Sequence, residues 1–206
     1  AGVTAPFAAR AALKFGTKKV VALGLFNMSI GFVIASRMDA NSSYWGHVII
    51  GMLFMANGLS LVTSPSTDAV MGSLPREKAG VGSAVNDISR EVGGVLGVAV
   101  SGSVFVSLFG PQISQAFSNI PGLVPSLPPG VFEMSQDSVG AAYAVSQQAP
   151  ANVQQVVLKV VTDSFTEGFA TACLVSAGMA IVGAVCALLF LPARPRVETK
   201  EDAFTK

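Results

Sequence analysis

Charged side chains are scarce in this chain. Of its 206 residues only 12% are Asp, Glu, Lys or Arg, whereas 51% are hydrophobic and the mean hydropathy is +0.59. Soluble domains carry about 25% charged residues, so the chain has roughly half the charged surface that such a domain presents to water. Glycine, by contrast, is abundant at 21 residues, and membrane helices accept glycine more readily than soluble helices do. The composition excludes an ordinary soluble domain and predicts an integral membrane protein.

Cysteine and histidine are also rare, with two Cys and one His in the chain. Cys173 and Cys186 lie on one predicted helix about 20 Å apart, so they cannot form a disulfide with each other. His47 stands alone, and no Ser/His/Asp or Cys/His set is visible. The basic residues are not gathered into one binding face, and the net charge is only +1. We therefore expect no metal centre, no cofactor, no enzymatic activity and no nucleic-acid partner.

Four apolar runs reach, or nearly reach, the roughly 20 residues that a helix needs to cross a bilayer core of about 30 Å. These runs are Lys18–Met38, Tyr44–Ser64, Val92–Phe109 and Phe169–Leu191. None of them alternates with the period of two that barrel strands require. The pattern predicts an all-α integral membrane fold with about four transmembrane helices.

The runs divide the chain into five regions. Residues 1–17 are predicted to hold a truncated helix end and a basic cytoplasmic loop, and residues 18–109 the first three membrane helices. Residues 110–164 form an extracytoplasmic loop with short amphipathic helices, residues 165–192 the fourth membrane helix, and residues 193–206 a cytoplasmic tail. The first residues include neither an initiator Met nor a signal-peptide n-region, so we expect an earlier part of the helix, and of the protein, to precede them.

The basic residues indicate the orientation. Four precede the first span, two lie between the second and third spans, and four follow the fourth, which puts ten of the thirteen on one side of four spans. Cytoplasmic loops carry the excess of Lys and Arg in membrane proteins. We therefore expect a multi-pass protein of the cell membrane with both ends of this chain in the cytoplasm.

A short amphipathic helix is predicted near the end of the extracytoplasmic loop. Five valines recur there at the spacing of one helix face, namely Val153, Val156, Val157, Val160 and Val161. This helix could lie flat on the outer leaflet or cap the bundle by packing against it. The pattern favours capping.

The segment Gly80–Phe109 joins charged residues to an apolar run. At about 100° per residue, one stripe of the predicted helix carries both charges and small residues, and small residues four positions apart allow close packing of helices in lipid. The charges of the stripe are Asp87, Arg90 and Glu91, and its small residues are Gly93, Gly94, Gly97 and Ser101. Charges on such a face can be shielded from lipid by a partner helix or by a water-filled cavity.

Two hypotheses account for these charges. In the first, they lie near the inner headgroups and form an ion-pair latch between helices, with Arg90 paired to Asp87. In the second, Asp87 or Glu91 lines a cavity and carries a proton. The position of the charges ahead of the apolar run favours the latch.

Two long segments resemble a known family. They are "APFAARAALKFGTKKVVALGL" and "SPSTDAVMGSLPREKAGVGSAVNDISREVGGVLGVAVSGSV". Together with the long outer loop before the last span, they resemble the C-terminal part of the major facilitator superfamily, and most of all its fourteen-helix drug/proton antiporter branch. The pattern Asn86, Arg90, Gly93, Gly94 and Gly97 is moderately specific for it.

The resemblance implies that these are the last four helices of a proton-coupled multidrug exporter that works by alternating access between two bundles. Its partners would be the lipid bilayer, the N-terminal helices of the same transporter, protons, and small hydrophobic or cationic substrates. Asn57 and Asp68, with Asp87 and Glu91, are weak candidates for the substrate or proton pathway, and Asp87, Arg90 and Glu91 for a gating latch. The alternative is a non-transporting four-helix membrane protein that binds or regulates a partner.

Overall fold

The structure is a computed structural model that describes residues 5–39, 42 and 44–191; the predicted cytoplasmic tail, 193–206, lies outside the described residues. The described part contains helices and no strand. In chain order the helices are α1 (Ala5–Phe15), α2 (Thr17–Ala35), a π-helical turn (Tyr44–Val48), α3 (Ile49–Gly72), a 3-10 turn (Arg76–Lys78), α4 (Ala79–Ser118), α5 (Leu123–Ser126), α6 (Val131–Asp137), α7 (Val139–Gln148) and α8 (Gln154–Phe190).

Four helices among the described residues are long and apolar enough to cross a membrane. They are Thr17–Ala35, Trp45–Gly72, Ala79–Ser118 and Gln154–Phe190, and each contains or overlaps one of the four apolar runs of the sequence. The prediction of an all-α membrane protein is confirmed.

Two of these helices are much longer than a bilayer requires. α4 has 40 residues and α8 has 37, which at ~1.5 Å per residue is about 60 and 55 Å, against a hydrocarbon core of about 30 Å. The amphipathic segment around Val153–Val161 is therefore not a separate short helix, because it leads into the last span without a break and its residues from Gln154 onward belong to α8. α8 contains no proline, but proline does not end a helix at two other places in this chain, since Pro65 lies within α3 and Pro111 within α4.

α1 and α2 meet at a single glycine. Gly16 has a φ of 91°, a backbone conformation that glycine adopts without the steric cost of a Cβ. Its N–H still donates to the carbonyl of Ala12 at 2.9 Å, so α1 ends and α2 begins within one residue. The basic segment that the sequence places in a loop is thus largely helical, with Gly16 as the predicted tight turn.

The chain forms two compact units. Of the described residues, unit 1 comprises 5–34, 49–97 and 176–191, and unit 2 comprises 35–39, 42, 44–48 and 98–175. In unit 1, α1 packs against α3, and a small apolar cluster joins α2 to the end of α8 through Val21, Ala22, Ala184 and Ala187. The side chains at these contacts are small, so the helix backbones lie close together.

Unit 2 has a larger core with bulky side chains. Phe109, Ile113 and Phe117 line one face of α4, and all three are buried. They pack against buried residues of the connecting helices and of α8, namely Leu123, Ala142, Val145, Ala149, Val157 and Val161. The predicted outer loop is thus a folded helical cap around the C-terminal part of α4 and the N-terminal part of α8.

Candidate functional site

α2 and α3 of unit 1 cross with their backbones in close contact. A Cβ added to Gly24 would lie 2.8 Å from the carbonyl oxygen of Gly58, and one added to Gly58 would lie 2.6 Å from the carbonyl oxygen of Gly24. Two turns further along the crossing, a Cβ on Gly31 would lie 3.1 Å from the carbonyl oxygen of Gly51. Real Cβ atoms essentially never approach other atoms within 3.0 Å, so Gly24 and Gly58 cannot be replaced without moving the helices apart.

Two methionines complete the crossing in a symmetric way. Met28 of α2 lies against Gly58, with its Cγ 2.5 Å from the position of an added Cβ, and Met55 of α3 lies against Gly31 at 2.6 Å. Each helix therefore offers the same sequence of Gly, Met and Gly to the other helix, which runs in the opposite direction. This contact fixes the alignment of α2 and α3, which together form a helical hairpin.

Sequence reasoning missed this crossing, although a signal for it was present. The octets "GLFNMSIG" and "GMLFMANG" begin at Gly24 and Gly51 and share Gly at the first and last positions and Met at the fifth. The two glycines of each octet are seven positions apart, which returns them to nearly the same helix face. A search for internal repeats at this spacing would have predicted the pair.

The N-terminal part of α4 has an unpartnered surface. Only 6% of the apolar window of α4 is buried, compared with 39% for α2. On its apolar side Val81, Val85, Ile88 and Val92 are all exposed. On the side with the small residues, an added Cβ at Gly93, Gly94 or Gly97 would meet nothing within 4 Å, and Ser101 is partly buried. The described chain therefore leaves both faces of this segment open.

The charged residues of α4 are also exposed. Asp87, Arg90 and Glu91 lie on the surface of the helix, and none of the three forms an ion pair or a side-chain hydrogen bond with another described residue. The structure brings them onto one stretch of α4 but supplies no partner helix. The ion-pair latch stays a prediction.

The two polar candidates on α3 share a helix face. Asn57 is partly buried and Asp68 is exposed. Their spacing of eleven residues is close to three full turns, so the two residues lie within about 20° of each other around the axis. Ser64 falls on the same stripe, which gives α3 a polar line across its length. No hydrogen bond or ion pair among the described residues joins Asn57 or Asp68 to the charges on α4.

Comparison with known proteins identifies several relatives. The multidrug efflux pump LfrA of Mycolicibacterium smegmatis is 26% identical over 179 residues, which cover 84% of this chain and 34% of that pump. The tetracenomycin C resistance and export protein of Streptomyces glaucescens is 26% identical over 202 residues, 97% of this chain and 37% of that protein. The quinolone resistance protein NorB of Staphylococcus aureus is 35% identical over 92 residues, 44% of this chain and 20% of NorB. No protein-family model and no solved structure matches the chain.

The chain spans between about a fifth and little more than a third of the length of these relatives. For the tetracenomycin C resistance and export protein, the similarity covers nearly all of the chain and is not confined to one apolar helix. The resemblance predicted from the sequence is therefore confirmed: the chain is similar along most of its length to multidrug efflux and export proteins.

Proposed function

We propose that the chain is the C-terminal portion of a proton-coupled multidrug efflux transporter of the fourteen-helix branch, and that it exports small hydrophobic or cationic compounds by alternating access. The observation that carries this proposal is the similarity to a resistance and export protein along 97% of the chain, in a chain whose described part has four helices able to cross a membrane. The named relatives are efflux and resistance proteins rather than enzymes, and this chain is not an enzyme.

The protein is a multi-pass membrane protein, and we propose that it resides in the cell membrane with both ends of this chain in the cytoplasm. Ten of its thirteen basic residues support this orientation under the positive-inside rule. Residues 110–164 then lie outside the cell, where the folded cap would meet water.

The open surface of α4 supports the proposal that further helices of the same transporter cover it. The relatives are roughly three times as long as the chain's aligned part. Gly93, Gly94, Gly97 and Ser101 would let one of those helices approach closely, because small residues allow helix backbones to come together in lipid. Close approach without interlocked bulky side chains is also suited to helices that must rock against each other.

We also propose roles for the polar residues of α3 and α4. Arg90 with Asp87 or Glu91 would form the gating latch, with partners on the covering helices. Asn57 and Asp68, on the polar line of α3, would contact substrate, and Asp87 or Glu91 would take part in proton coupling. Exposed charges on a membrane helix support such roles because lipid does not solvate them, so protein or water must.

The test is an efflux assay with the full-length transporter, in which ethidium serves as a cationic probe. Cells that express the wild-type protein should expel ethidium when a proton gradient is present and retain it when a protonophore collapses the gradient. The variants Asp87→Asn and Glu91→Gln should slow efflux, whereas the control Glu77→Gln, an exposed carboxylate in the 3-10 turn, should not.

Each result decides one part of the proposal. Absence of efflux from well-expressed wild-type protein would remove the transport proposal and favour a membrane protein that binds or regulates a partner. Efflux at the wild-type rate from a variant that lacks both Asp87 and Glu91 carboxylates would remove their coupling role. Labelling of a cysteine introduced at position 78 from outside the cell only would reverse the orientation; this experiment needs Cys173 and Cys186 replaced first, because both are free thiols.

A further inference from the structure

An open polar cleft lies on the surface of unit 2, between the C-terminal part of α4 and the N-terminal part of α8. Its volume is about 290 Å³. One wall carries amide side chains of α4 and the other carries two carboxylates and a hydroxyl of α8: Gln112, Gln115, Asn119, Asp163, Ser164 and Glu167. The six polar residues come from two segments more than forty positions apart, so the cleft exists only in the folded cap.

The polar side chains of the cleft have no partners among the residues that the structure describes. None of the six forms a side-chain hydrogen bond or an ion pair with a described residue. Other polar side chains of unit 2 do bond locally: the hydroxyls of Ser146 and Thr162 donate to carbonyls at 2.6 and 2.9 Å. The six polar side chains of the cleft are therefore available to form hydrogen bonds with a ligand or to bind a metal ion.

Ser164 is the most informative member of the set. It retains only 6% of its surface, yet its hydroxyl bonds to no described residue. Among the described residues, no completely enclosed side-chain oxygen or nitrogen lacks a partner, so this hydroxyl must open to the cleft. A hydroxyl open to the cleft can donate to or accept from a water molecule or a ligand there.

The chemistry of the walls selects a hard cation. Asp163 and Glu167 are one helical turn apart, about 5–6 Å between Cβ atoms, and thus close enough for both carboxylates to face one ion. The remaining candidate ligands are amide and hydroxyl oxygens. The described residues contain no group of three or more His, Cys, Asp or Glu side chains suited to a metal, which argues against a tight site for any metal ion, zinc and calcium included, and leaves room only for a weak one. Mg²⁺ and Ca²⁺ instead use one or more carboxylates, with amide and water oxygens as the remaining ligands.

We propose that this cleft binds a partly hydrated divalent cation, Ca²⁺ or Mg²⁺, between the Asp163 and Glu167 carboxylates and the amides of α4. The volume agrees with this ligand: a water molecule takes about 30 Å³, so the cleft admits the ion together with several waters. With only two carboxylates the site belongs to the weak class, with a dissociation constant on the order of 0.1–1 mM. The inference does not rest on the proposed transport function, because the cleft is built from the cap alone.

The experiment measures Ca²⁺ and Mg²⁺ binding to the purified full-length protein in a neutral detergent, by isothermal titration calorimetry and by hydrogen exchange. The wild type should bind one divalent ion, and binding should slow exchange in the segments 112–119 and 160–167. The double variant Asp163→Asn/Glu167→Gln should lose affinity by about tenfold or more, because ligand charge sets the strength of such sites. Asp163 and Glu167 are both exposed. Asn and Gln have nearly the same shape as the residues that they replace, so the double variant removes the two charges and little else.

The matched control neutralises two other carboxylates of the cap, as Glu133→Gln/Asp137→Asn, and should bind as the wild type does. Ser164→Ala should lower the affinity a few-fold without changing the stoichiometry. The proposal is overturned if the double variant binds as tightly as the wild type, if Na⁺ at equal ionic strength produces the same protection, or if spermidine gives the protection while Ca²⁺ and Mg²⁺ do not. These readouts are independent of efflux, so a transporter that fails to export ethidium can still confirm the site.

Discussion

The two compact units of this chain are held together by different kinds of contact. In unit 1, α2 and α3 cross at glycines and methionines, with backbone atoms of Gly24 and Gly58 near each other. In unit 2, large side chains such as Phe109, Ile113 and Phe117 fill a core. Lipid tails are as apolar as a leucine side chain, so burying a leucine between membrane helices gains little free energy. The association of membrane helices depends on close packing instead. In water, the burial of large apolar side chains contributes most to folding. The two units therefore show two modes of packing, backbone contact at glycines in unit 1 and a core of bulky side chains in unit 2.

The two units also differ in charge. Unit 2 contains five carboxylates and two basic side chains, whereas the described part of unit 1 contains seven basic residues and four carboxylates. A net negative cap raises the local concentration of cations around it, which favours the proposed divalent site. The net positive charge of unit 1 supports the proposed cytoplasmic position of its loops. Each of the following predictions tests whether this division between the units is real.

The largest effect is expected from Phe117→Ala in unit 2. Phe117 is fully buried in the cap core, and truncation of a buried Phe typically costs about 3–5 kcal/mol of stability. Hydrogen exchange should accelerate across the connecting helices α5 to α7, while the crossing of α2 and α3 stays as protected as in the wild type. The control Met134→Ala removes an exposed side chain of α6 and should leave exchange unchanged. Equal acceleration in both units would show that they do not unfold separately.

The next effect is expected from Gly58→Ala in unit 1. Its Cβ would lie 2.6 Å from the carbonyl oxygen of Gly24 and 2.8 Å from the backbone nitrogen of Met28. Because backbone cannot move aside as a flexible side chain can, the helices must separate, at a cost of about 1–3 kcal/mol. Thermal unfolding should shift down, and exchange should rise in α2 and α3 but not in the cap.

A matched control for this change is Gly80→Ala at the start of α4, where an added Cβ meets nothing within 4 Å. It should be neutral or slightly stabilising, because Ala loses less conformational freedom than Gly on helix formation. If Gly58→Ala were as harmless as the control, the glycine crossing would not be what holds the hairpin together.

A smaller effect is expected from Lys159→Gln in the cap. Lys159 lies one turn before Asp163 on α8 and repels a cation bound beside that carboxylate. A unit charge and a double charge about 6 Å apart in water interact by about 1.4 kcal/mol. Salt with a Debye length of about 8 Å reduces this repulsion to about 0.7 kcal/mol, so removing the lysine should tighten Ca²⁺ binding roughly threefold. The same neutralisation in unit 1, Lys78→Gln, should leave the titration unaltered. An unchanged or weaker affinity in Lys159→Gln would contradict the position assigned to the ion.

The smallest effect is expected from Arg90→Gln on the stability of the chain's own fold. Arg90 is exposed and forms no ion pair with a described residue, and surface substitutions away from special contacts change stability little. The melting temperature of this chain expressed alone should move by less than about 2 °C. In the full-length transporter a larger destabilisation is expected, because there the latch would have its partner. A large shift in the chain alone would instead indicate a contact within unit 1.

Sequence reasoning succeeded where the signal is local. The four membrane helices follow from runs of apolar residues, and the turn at Gly16 follows from a single glycine in a short basic segment. It was less successful in predicting which glycines contact another helix, because that depends on which helix packs against them. An added Cβ at Gly93, Gly94 or Gly97 meets nothing within 4 Å in the described chain, so the close packing of this stripe stays a prediction. The contact between α2 and α3 at Gly24 and Gly58 was not predicted.

The sequence by itself determined which helices are apolar enough to cross a membrane. Hydropathy is a sum over neighbouring residues, so this conclusion needs no knowledge of the fold. It also determined the similarity to efflux and export proteins, because aligned residues carry that similarity directly. Only the tertiary structure decided which small residues touch and which polar residues converge. Gln112 and Asp163 are ordinary polar residues on two separate helices until the cap core brings α4 and α8 together, and the cleft between them arises from that packing.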